Sequence, residues 1–476
     1  MRPRPRTRLT AVLAASAALL ATAPLTAAST AYAAPVRLHD DLNGDGHRDL
    51  VVGAPGATVD GVPSAGAVVV LYGSADGLSG GRRTVIHQNS PGIPGTAEDS
   101  DRFGASVATG DLDGDGLPDL VVGAGSEAIG TRQGVGSVTV VWGSAGGLGT
   151  GTALPQPAWR EHVSFGENLA VGDFTGDGAL DLTVAGRDGP YHYTGPFARD
   201  GESADRYLDD RLGTTHNVIS GDLDGDGRAE RVVLPGPVDG DPNGDVYVDR
   251  FVNGALVRTE LPGADGEVGS IGDIDGDGYG DLVLGASTDP GSGETGHLGG
   301  QISVWYGGPG GPDPKQRPQI VHQDTPGVPG ASERADAFGS SVAVGDVDGD
   351  GHADVAAGAF LEDLSGEEEA GSVTVLYGSA DGLTADRAVS LHQDTAGVPG
   401  AAEAYDYFGR SVRLADLTGD GRAELSSGVP GENSDQGYLQ VFRGASSGVS
   451  ASGVFGLAAS GAGLSGQAWL GHSLLP

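Results

Sequence analysis

The stretch Asp41-Leu-Asn-Gly-Asp-Gly-His-Arg-Asp49 decides the fold of this chain, because seven copies of its pattern run through the 476 residues. Each copy places an oxygen side chain at positions 1, 3, 5 and 9 and a glycine at position 6. Alternate residues of a tight loop that turns at this glycine point to one side, and Ca²⁺ takes roughly six to eight oxygen ligands at about 2.3–2.6 Å. The pattern therefore predicts about seven structural calcium ions, with position 7 adding a backbone carbonyl.

The predicted ligands occupy positions 1, 3, 5, 7 and 9 of each loop. They are Asp41, Asn43, Asp45, His47 and Asp49; Asp111, Asp113, Asp115, Leu117 and Asp119; Asp173, Thr175, Asp177, Ala179 and Asp181; Asp222, Asp224, Asp226, Arg228 and Glu230; Asp273, Asp275, Asp277, Tyr279 and Asp281; Asp346, Asp348, Asp350, His352 and Asp354; and Asp416, Thr418, Asp420, Arg422 and Glu424.

These loops are not EF-hands. An EF-hand needs a bidentate Glu at position 12 and helices on both sides. Position 12 here is apolar or small, for example Val52 in the first loop and Ser427 in the last. Each loop is instead followed by a short apolar run such as Leu50-Val-Val-Gly53, which is typical of a buried strand. We expect the ions to stabilise turns between strands rather than to act in catalysis.

The N-terminal segment has the pattern of an export signal. Four arginines among the first eight residues precede an apolar stretch from about Leu9 to Leu25, and Ala31-Tyr-Ala33 lies directly before Ala34. This order predicts a signal peptide over residues 1–33, cleaved near Ala33, and a secreted protein; a membrane anchor is the alternative. The chain has no cysteine, so disulfides cannot stabilise it, and we expect calcium to do so.

The charge restricts the partners. The formal net charge is −38, and removal of the predicted signal peptide, with four arginines and no acids, takes it to −42. Such an acidic surface repels phosphate backbones and anionic lipids, so we expect neither nucleic acid binding nor direct membrane insertion. The expected partner is an extracellular protein or glycan, bound by a monomer.

The loops begin 49 to 73 residues apart, which suits four-stranded propeller blades with long connections. The sixth unit shows a strand from Phe338, the acidic loop, a second strand ending at Gly358 and a third segment from Gly371 to Leu383. Residues 66–78 match that third segment at 11 of 13 positions. A fourth strand is predicted before each of His87, His322 and His392, whereas the middle units lack this last piece.

The ends of the chain are predicted to close the ring. Phe-Gly precedes the loop by eight residues at Phe103, Phe165, Phe338 and Phe408, but the first loop has no such strand before it. The missing piece is present as Leu470-Gly-His-Ser-Leu-Leu475. We therefore predict an all-β, seven-bladed β-propeller over residues 34–476, in which the C-terminal strand completes the first blade and removes an exposed edge.

Three motifs at fixed offsets, namely Phe-Gly, the acidic loop and Gly53-Ala-Pro55, together resemble the FG-GAP repeats of the integrin alpha-subunit N-terminal β-propeller and of related bacterial secreted proteins. The resemblance covers residues 38–476. It implies a binding or adhesion-like module with calcium loops that lie away from the ligand face. Units three to five depart from the pattern, since Thr214-Thr215 and Asp265-Gly266 replace Phe-Gly. We expect no counterpart of the extra domains, membrane helix and beta partner of integrins, and therefore no receptor role.

A few other residues are candidates for catalytic or ligand-binding roles. A nine-residue segment that begins with His-Gln-[Asp/Asn] recurs at residues 87–95, 322–330 and 392–400. Its histidines, together with Asp324 and Asp394, could act as acid–base or ligand groups. Repetition at a fixed offset favours a shared loop scaffold instead. Residues 77–81 match the Gly-x-Ser-x-Gly sequence pattern of a nucleophile elbow. The residues that follow predict a strand, whereas the elbow requires a helix there.

The aromatic residues offer a few further candidates. Trp142 and Trp305 are predicted to pack in the core, Trp159 with Arg160 is a candidate for stacking on a sugar, and Tyr191-His-Tyr193 is a possible patch. The sequence favours a binding module without a catalytic centre. The alternative is a secreted hydrolase or polysaccharide lyase, whose chemistry would use His162, His192 or His216 in the irregular units.

Overall fold

The computed structural model describes residues 38–156, 164–235, 245–291 and 296–476. The compact unit that contains them runs from Arg37 to Pro476. The predicted signal peptide, Trp159, Arg160 and His162 lie outside the described residues. Within the described part, no helix is long and apolar enough to cross a membrane.

Seven four-stranded antiparallel sheets form the fold, which confirms the predicted seven-bladed β-propeller. Blade one contains β1 (Leu50–Ala54), β2 (Ala67–Leu71) and β3 (Arg83–Ile86), and blade two contains β4 (Ser106–Gly110), β5 (Asp119–Ala124), β6 (Ser137–Val141) and β7 (Gly151–Ala153). Blade three contains β8 (Leu169–Gly172), β9 (Asp181–Val184), β10 (Tyr191–Thr194) and β11 (Asp205–Leu208). Blade four contains β12 (Asn217–Gly221), β13 (Glu230–Leu234), β14 (Val246–Val252) and β15 (Ala255–Leu261).

The remaining blades follow the same order. Blade five contains β16 (Val268–Gly272), β17 (Asp281–Ala286), β18 (Gln301–Trp305) and β19 (Gln319–Val321), and blade six contains β20 (Phe338–Gly345), β21 (Asp354–Ala359), β22 (Ser372–Tyr377) and β23 (Thr384–Leu391). Blade seven contains β24 (Val412–Ala415), β25 (Glu424–Val429), β26 (Tyr438–Arg443) and β27 (Ser450–Ala458). Two single helical turns, α1 (Glu432–Asp435) and α2 (Ala459–Ala462), lie in connections, and β28 (Ser473–Leu474) ends the chain.

The C-terminal strand closes the ring as predicted. β28 pairs with β1, with Val52 opposite Leu474 and Gly53 opposite Ser473. The Gly471 and Leu475 amides also donate to carbonyls of β1, at 3.1 Å each. The regular strand is shorter than the predicted segment from residue 470 to 475. Blade one thus joins both ends of the described chain in one sheet.

In blades two to seven the strand that precedes the acidic loop is the innermost of its blade, and in blade one β28 takes this place. The innermost strands contact one another in the order β4, β8, β12, β16, β20 and β24, and β28 contacts β4. Behind them, both faces of the next strands are covered by neighbouring blades, so β1 and β2 are buried at every position. This two-sided burial explains the near-continuous apolar runs that the sequence shows after each loop.

The Phe-Gly motif joins adjacent blades. The ring of Phe103 is 1% exposed, and its backbone forms a parallel bridge to Gly66 at the start of the third strand of blade one. Gly66 has a φ of +88°, and an added Cβ would lie 2.3 Å from the Phe103 carbonyl oxygen. Glycine is therefore required there. Leu470 takes the place of the phenylalanine in blade one, where it bridges to Gly437.

The middle blades are more regular than expected. The expectation that they lack a fourth strand is wrong, because β7, β11 and β15 complete blades two, three and four. These strands share no sequence with the His-Gln segment. They form through hydrogen bonds to their neighbours, which the sequence pattern alone does not reveal.

Candidate metal loops and the central cavity

The backbone of each acidic loop turns the first carboxylate inward. In blade six, Gly349 and Gly351 have φ angles of +77° and +91°, which side-chain-bearing residues rarely adopt. Their amides donate to Asp346 at 2.6 and 2.9 Å. The Asp350 carboxylate accepts the His352 amide at 3.0 Å. The local sequence therefore fixes the loop through its glycines and its own carboxylates.

The carboxylate at position 9 anchors the loop to the sheet. The Asp354 oxygens accept the amides of Val347 and Gly378 at 2.8 and 2.9 Å. Asp49 does the same with Leu42 and Gly73 in blade one. The loop and the end of the third strand of the blade are thus held by one buried side chain.

In four loops, oxygens of three carboxylates lie within 4.8 Å of one another. These groups are Asp111, Asp113 and Asp115; Asp222, Asp224 and Glu230; Asp273, Asp275 and Asp281; and Asp346, Asp348 and Asp354. The other loops have Asn43, Thr175 or Thr418 at position 3, where an amide or hydroxyl oxygen replaces a carboxylate.

The oxygen donors of these loops fit a hard cation. Oδ1 of Asp111, Oδ1 of Asp348 and Oγ1 of Thr175 are buried without a hydrogen-bond partner. Such orphaned oxygens are costly to bury unless another group satisfies them. Oxygen-only donor sets suit Ca²⁺ or Mg²⁺ rather than softer metals.

The electrostatics of the loops also favour a cation. Burial, helped by the charge of neighbouring aspartates, raises the pKa of Asp49, Asp119 and Asp354 to about 7, although backbone hydrogen bonds lower it. Burial likewise raises the pKa of Glu230 and Glu424 to about 7. A bound divalent ion would offset the repulsion among these negative charges.

Three arginines that the sequence analysis missed contact the carboxylate at position 3. Arg199 lies 2.5 Å from Asp113, Arg250 from the neighbouring strand β14 lies 2.9 Å from Asp224, and an Arg387–Asp348 pair is 3.0 Å long in blade six. The arginines are 86, 26 and 39 residues from their partners. Because this spacing is irregular, no sequence pattern could have identified them.

The side chain at position 7, for which the sequence predicted only a carbonyl role, connects adjacent loops. A Cβ added to Gly276 would lie 2.8 Å from the His352 ring of the next blade, and one added to Gly225 would lie 3.1 Å from Tyr279. Arg228, Arg422 and His47 lie in the same way against the preceding loops. The loops therefore form a nearly continuous band on one face of the propeller.

A central cavity of about 660 Å³ lies inside the ring of innermost strands. One wall carries His39, Arg48 and Arg413, and both arginines are paired with the buried Asp40. The other walls are mainly aliphatic. Asp346 and Asp416, the first residues of two acidic loops, also line the cavity.

The His-Gln segments share one turn, as the scaffold interpretation predicts. The backbone amides of His87, His322 and His392 each donate to the hydroxyl of the residue three positions later, at 3.0 Å. Residues 77–81 are followed by the strand β3 and not by a helix, so they do not form a nucleophile elbow.

The aromatic candidates are mostly core residues. Trp142 and Trp305 are each 1% exposed, as predicted. Tyr191, His192 and Tyr193 on β10 are also buried and do not form a surface patch. His192 Nδ1 accepts from Arg231 at 3.0 Å, and burial followed by the nearby Arg231 charge lowers the histidine pKa well below its ordinary value.

Comparison with known proteins identifies the repeats. The FG-GAP repeat profile matches residues 39–71, 103–141, 338–376 and 408–442, which lie in blades one, two, six and seven. The Mus musculus phosphatidylinositol-glycan-specific phospholipase D is 39% identical over 146 residues, covering 30% of this chain and 17% of the phospholipase. Integrin alpha pat-2 of Caenorhabditis briggsae is 46% identical over 85 residues, covering 18% of this chain and 6% of the integrin. The chain contains FG-GAP repeats but spans only a small part of these relatives.

A solved structure resembles the whole propeller more weakly. An Agrocybe aegerita lectin, described for its recognition of non-reducing terminal N-acetylglucosamine, aligns with a TM-score of 0.49 and 16% identity. The alignment covers 90% of this chain and 94% of the lectin. A likeness at this level carries no conclusion about ligands.

Proposed function

We propose that the chain is a secreted, calcium-stabilised FG-GAP propeller that binds an extracellular protein or glycan and catalyses no reaction of its own. The observation that supports it best is the repeated convergence of three carboxylates within 4.8 Å in loops where the first Asp is fixed by backbone amides. A cation at each loop would neutralise carboxylates whose pKa burial has raised. In this proposal Ca²⁺ has a structural role and the partner binds elsewhere on the same domain.

The central cavity is the surface that we assign to the partner. Arg48, Arg413 and His39 give one wall hydrogen-bond donors, while Val171 and Ile271 give another wall apolar area. A few convergent polar groups within an otherwise apolar concavity are typical of ligand sites. Because Asp346 lies both in a metal loop and at the cavity, ion binding would fix part of the cavity wall.

Secretion rests on the N-terminal sequence. The arginine-rich start, the apolar stretch and the small residues before Ala34 form the pattern of an export signal. Millimolar extracellular calcium suits loops of this kind, because extracellular modules bind Ca²⁺ with dissociation constants of about 0.1–1 mM. The absence of cysteine agrees with stabilisation by ions rather than disulfides.

A hydrolase is the second candidate, because the name of the mouse relative is that of a phospholipase D. Of the histidines that would serve such chemistry, His192 is 3% exposed and engaged with Arg231 and Thr183. His216 is exposed, and its carbonyl accepts from Asn168. Neither arrangement supplies an accessible nucleophile and base together, so binding is the better-supported proposal.

A pull-down tests the proposal. Purified protein in millimolar calcium should retain a polysaccharide or a cell-surface protein, and chelation should release it. The variant Arg48→Gln changes the cavity wall and keeps every predicted ligand side chain in place, and we expect it to reduce retention while the number of bound calcium ions stays the same.

The same preparation should release no product from polysaccharide, phospholipid or ester substrates. Turnover that is lost on substitution of His216, with the calcium content unchanged, would favour the hydrolase instead. Retention that survives both chelation and Arg48→Gln would contradict the proposed site.

A further inference from the structure

Two histidines and an aspartate meet in blade five, away from the acidic loops. His322 and Asp324 belong to the His-Gln segment after β19, and His297 lies in the connection before β18. The two imidazole rings stack with centroids 3.5 Å apart and planes 7° from parallel. His297 Nε2 lies 3.7 Å from Asp324 Oδ2, and one ligand atom from each residue lies within 4.8 Å of the others.

We propose that His297, His322 and Asp324 form a binding site for one transition-metal ion of the zinc class. Imidazole nitrogens suit Zn²⁺, Cu²⁺ and Ni²⁺, whereas Ca²⁺ selects oxygen ligands. Two histidines and one carboxylate are a known zinc donor set, with the remaining position taken by water. The site therefore differs in chemistry from the seven acidic loops, and it stands or falls independently of the calcium proposal.

The surrounding hydrogen bonds prepare two of the three ligand atoms. Nδ1 of His297 lies 3.0 Å from the Leu298 carbonyl oxygen, which can only accept, so Nδ1 carries the proton in the neutral ring. The Nε2 lone pair is then directed to the Asp324 side. Oδ1 of Asp324 accepts the Ser332 amide at 3.1 Å, which orients Oδ2 toward His297. Such outer contacts are typical of metal-binding histidines and carboxylates.

The ion must separate the stacked rings. Two parallel, stacked imidazoles cannot direct both lone pairs at one ion, because each metal–nitrogen bond lies in its ring plane. In a tetrahedral zinc site with bonds of about 2.0–2.1 Å, neighbouring ligand atoms are about 3.4 Å apart. The 3.7 Å separation of His297 Nε2 and Asp324 Oδ2 is close to this value. Both histidines are partly exposed, so a ring rotation leaves the core intact.

The sibling blades lack this combination. His87 and His392 occupy the position of His322, in the same turn. His297 lies three residues before the glycine that directly precedes the third strand of blade five. The same position is Pro63 in blade one and Glu368 in blade six. The second histidine is therefore an addition to the repeat, and His392 provides a control with the same local structure.

Metal titration tests the site. Tag-free protein saturated with Ca²⁺ would be titrated with Zn²⁺ by calorimetry and with Co²⁺ by visible absorption, which reports nitrogen ligation. We expect one equivalent to bind to the parent protein. His297→Ala should weaken this binding at least about tenfold, the scale seen when metal sites lose even a supporting group. His392→Ala should leave it unchanged.

The melting temperature in calcium checks that each variant is folded. His297→Gln serves as a second variant if the alanine form is unstable. Equal zinc affinity in the His297 and His392 variants, or no zinc equivalent bound by the calcium-saturated parent, would overturn the proposal. A parent protein that binds zinc but no calcium would contradict only the calcium proposal.

Discussion

At the scale of single residues, arginines balance the acidic loops. Arg387 on β23 contacts the buried Asp348 carboxylate at 3.0 Å, while its own side chain is 53% exposed. A guanidinium in this position neutralises part of the charge that a cation would otherwise neutralise. The arginine therefore competes electrostatically with a bound ion.

Arg387→Gln should tighten calcium binding at loop six. Removal of one positive charge a few ångströms from a divalent ion in a solvated setting is worth about 1 kcal/mol, which is roughly fivefold in dissociation constant. Calorimetric calcium titration measures this change. Arg334→Gln removes an exposed arginine paired with Asp289, outside the loops, and should have no effect. If Arg387→Gln changed calcium affinity equally in a protein that also carries Asp346→Ala, the affected ion would not be the one at the loop that begins at Asp346.

A buried ion network holds blades three and four together. Asp249 on β14 accepts from Arg231 at 2.8 Å and from Arg258 at 2.6 Å, and its side chain is 1% exposed. Arg231 in turn reaches Thr183 and His192 of blade three. Charged and polar side chains thus occupy part of the interface between blades three and four.

Asp249→Asn should destabilise the protein by about 3–5 kcal/mol, because it leaves the buried Arg231 without its counter-charge. Denaturant unfolding would measure the loss. Glu202→Gln, which breaks the exposed pair with Arg206, should cost less than about 0.5 kcal/mol. Similar unfolding curves for the two variants would show that the network carries little stability.

At the scale of elements, glutamine–carboxylate contacts tie adjacent blades. Gln88 after β3 donates to Glu127 of blade two at 2.6 Å, and the same contact joins Gln323 to Glu362 and Gln393 to Glu432 at 2.5 Å. Burial, followed by repulsion from a nearby aspartate, raises the pKa of Glu127 and Glu362 to about 7, although the glutamine lowers it.

These carboxyls should make the propeller more stable in mild acid. A carboxyl group whose pKa is higher in the folded protein than its unfolded value of about 4.3 stabilises the fold. This stabilisation is complete at a pH below about 4.3, and it is lost as the pH rises through the folded-state pKa of about 7. In saturating calcium, the triple variant Glu127→Gln, Glu362→Gln, Glu432→Gln should therefore gain melting temperature relative to the parent between pH 5.5 and 8.5. A constant difference between the two proteins across this range would contradict the account.

The elements also show what the sequence could predict. The acidic loop, Phe-Gly and the strand after each loop are local patterns, so the blades and their number follow from them. The strands β11 and β15 carry no shared motif and are defined by pairing with β10 and β14. The arginines that pair with position 3 of the acidic loops, and the ion network around Asp249, depend on contacts between residues that are distant in the sequence. One sequence does not reveal such contacts. His297 was missed because only the fold brings it onto His322.

At the scale of the whole molecule, ring closure depends on the last seven residues. β28 pairs with β1, and Leu470 and Leu475 are 0% and 2% exposed. Without them, blade one has a free edge and blades one and seven lose apolar contacts.

Deletion of residues 470–476 should cause aggregation or loss of cooperative unfolding. Size-exclusion chromatography and thermal melting measure both outcomes. Deletion of the exposed Pro476 alone is the control and should change neither. A truncated protein that is monomeric and melts like the parent would refute the closure by the C-terminal strand.

The central claim is that cations at the acidic loops stabilise the propeller. With dissociation constants of about 0.1–1 mM, calcium at about 1 mM stabilises by about 0.4–1.4 kcal/mol per site. Seven such sites would supply several kcal/mol, a large share of the 5–15 kcal/mol typical of a folded domain. The most direct measurement is thermal melting of the metal-free and calcium-loaded protein, combined with a count of bound ions. The account predicts a clearly lower melting temperature after chelation and about seven ions bound. An unchanged melting curve, or fewer than about four bound ions, would contradict it.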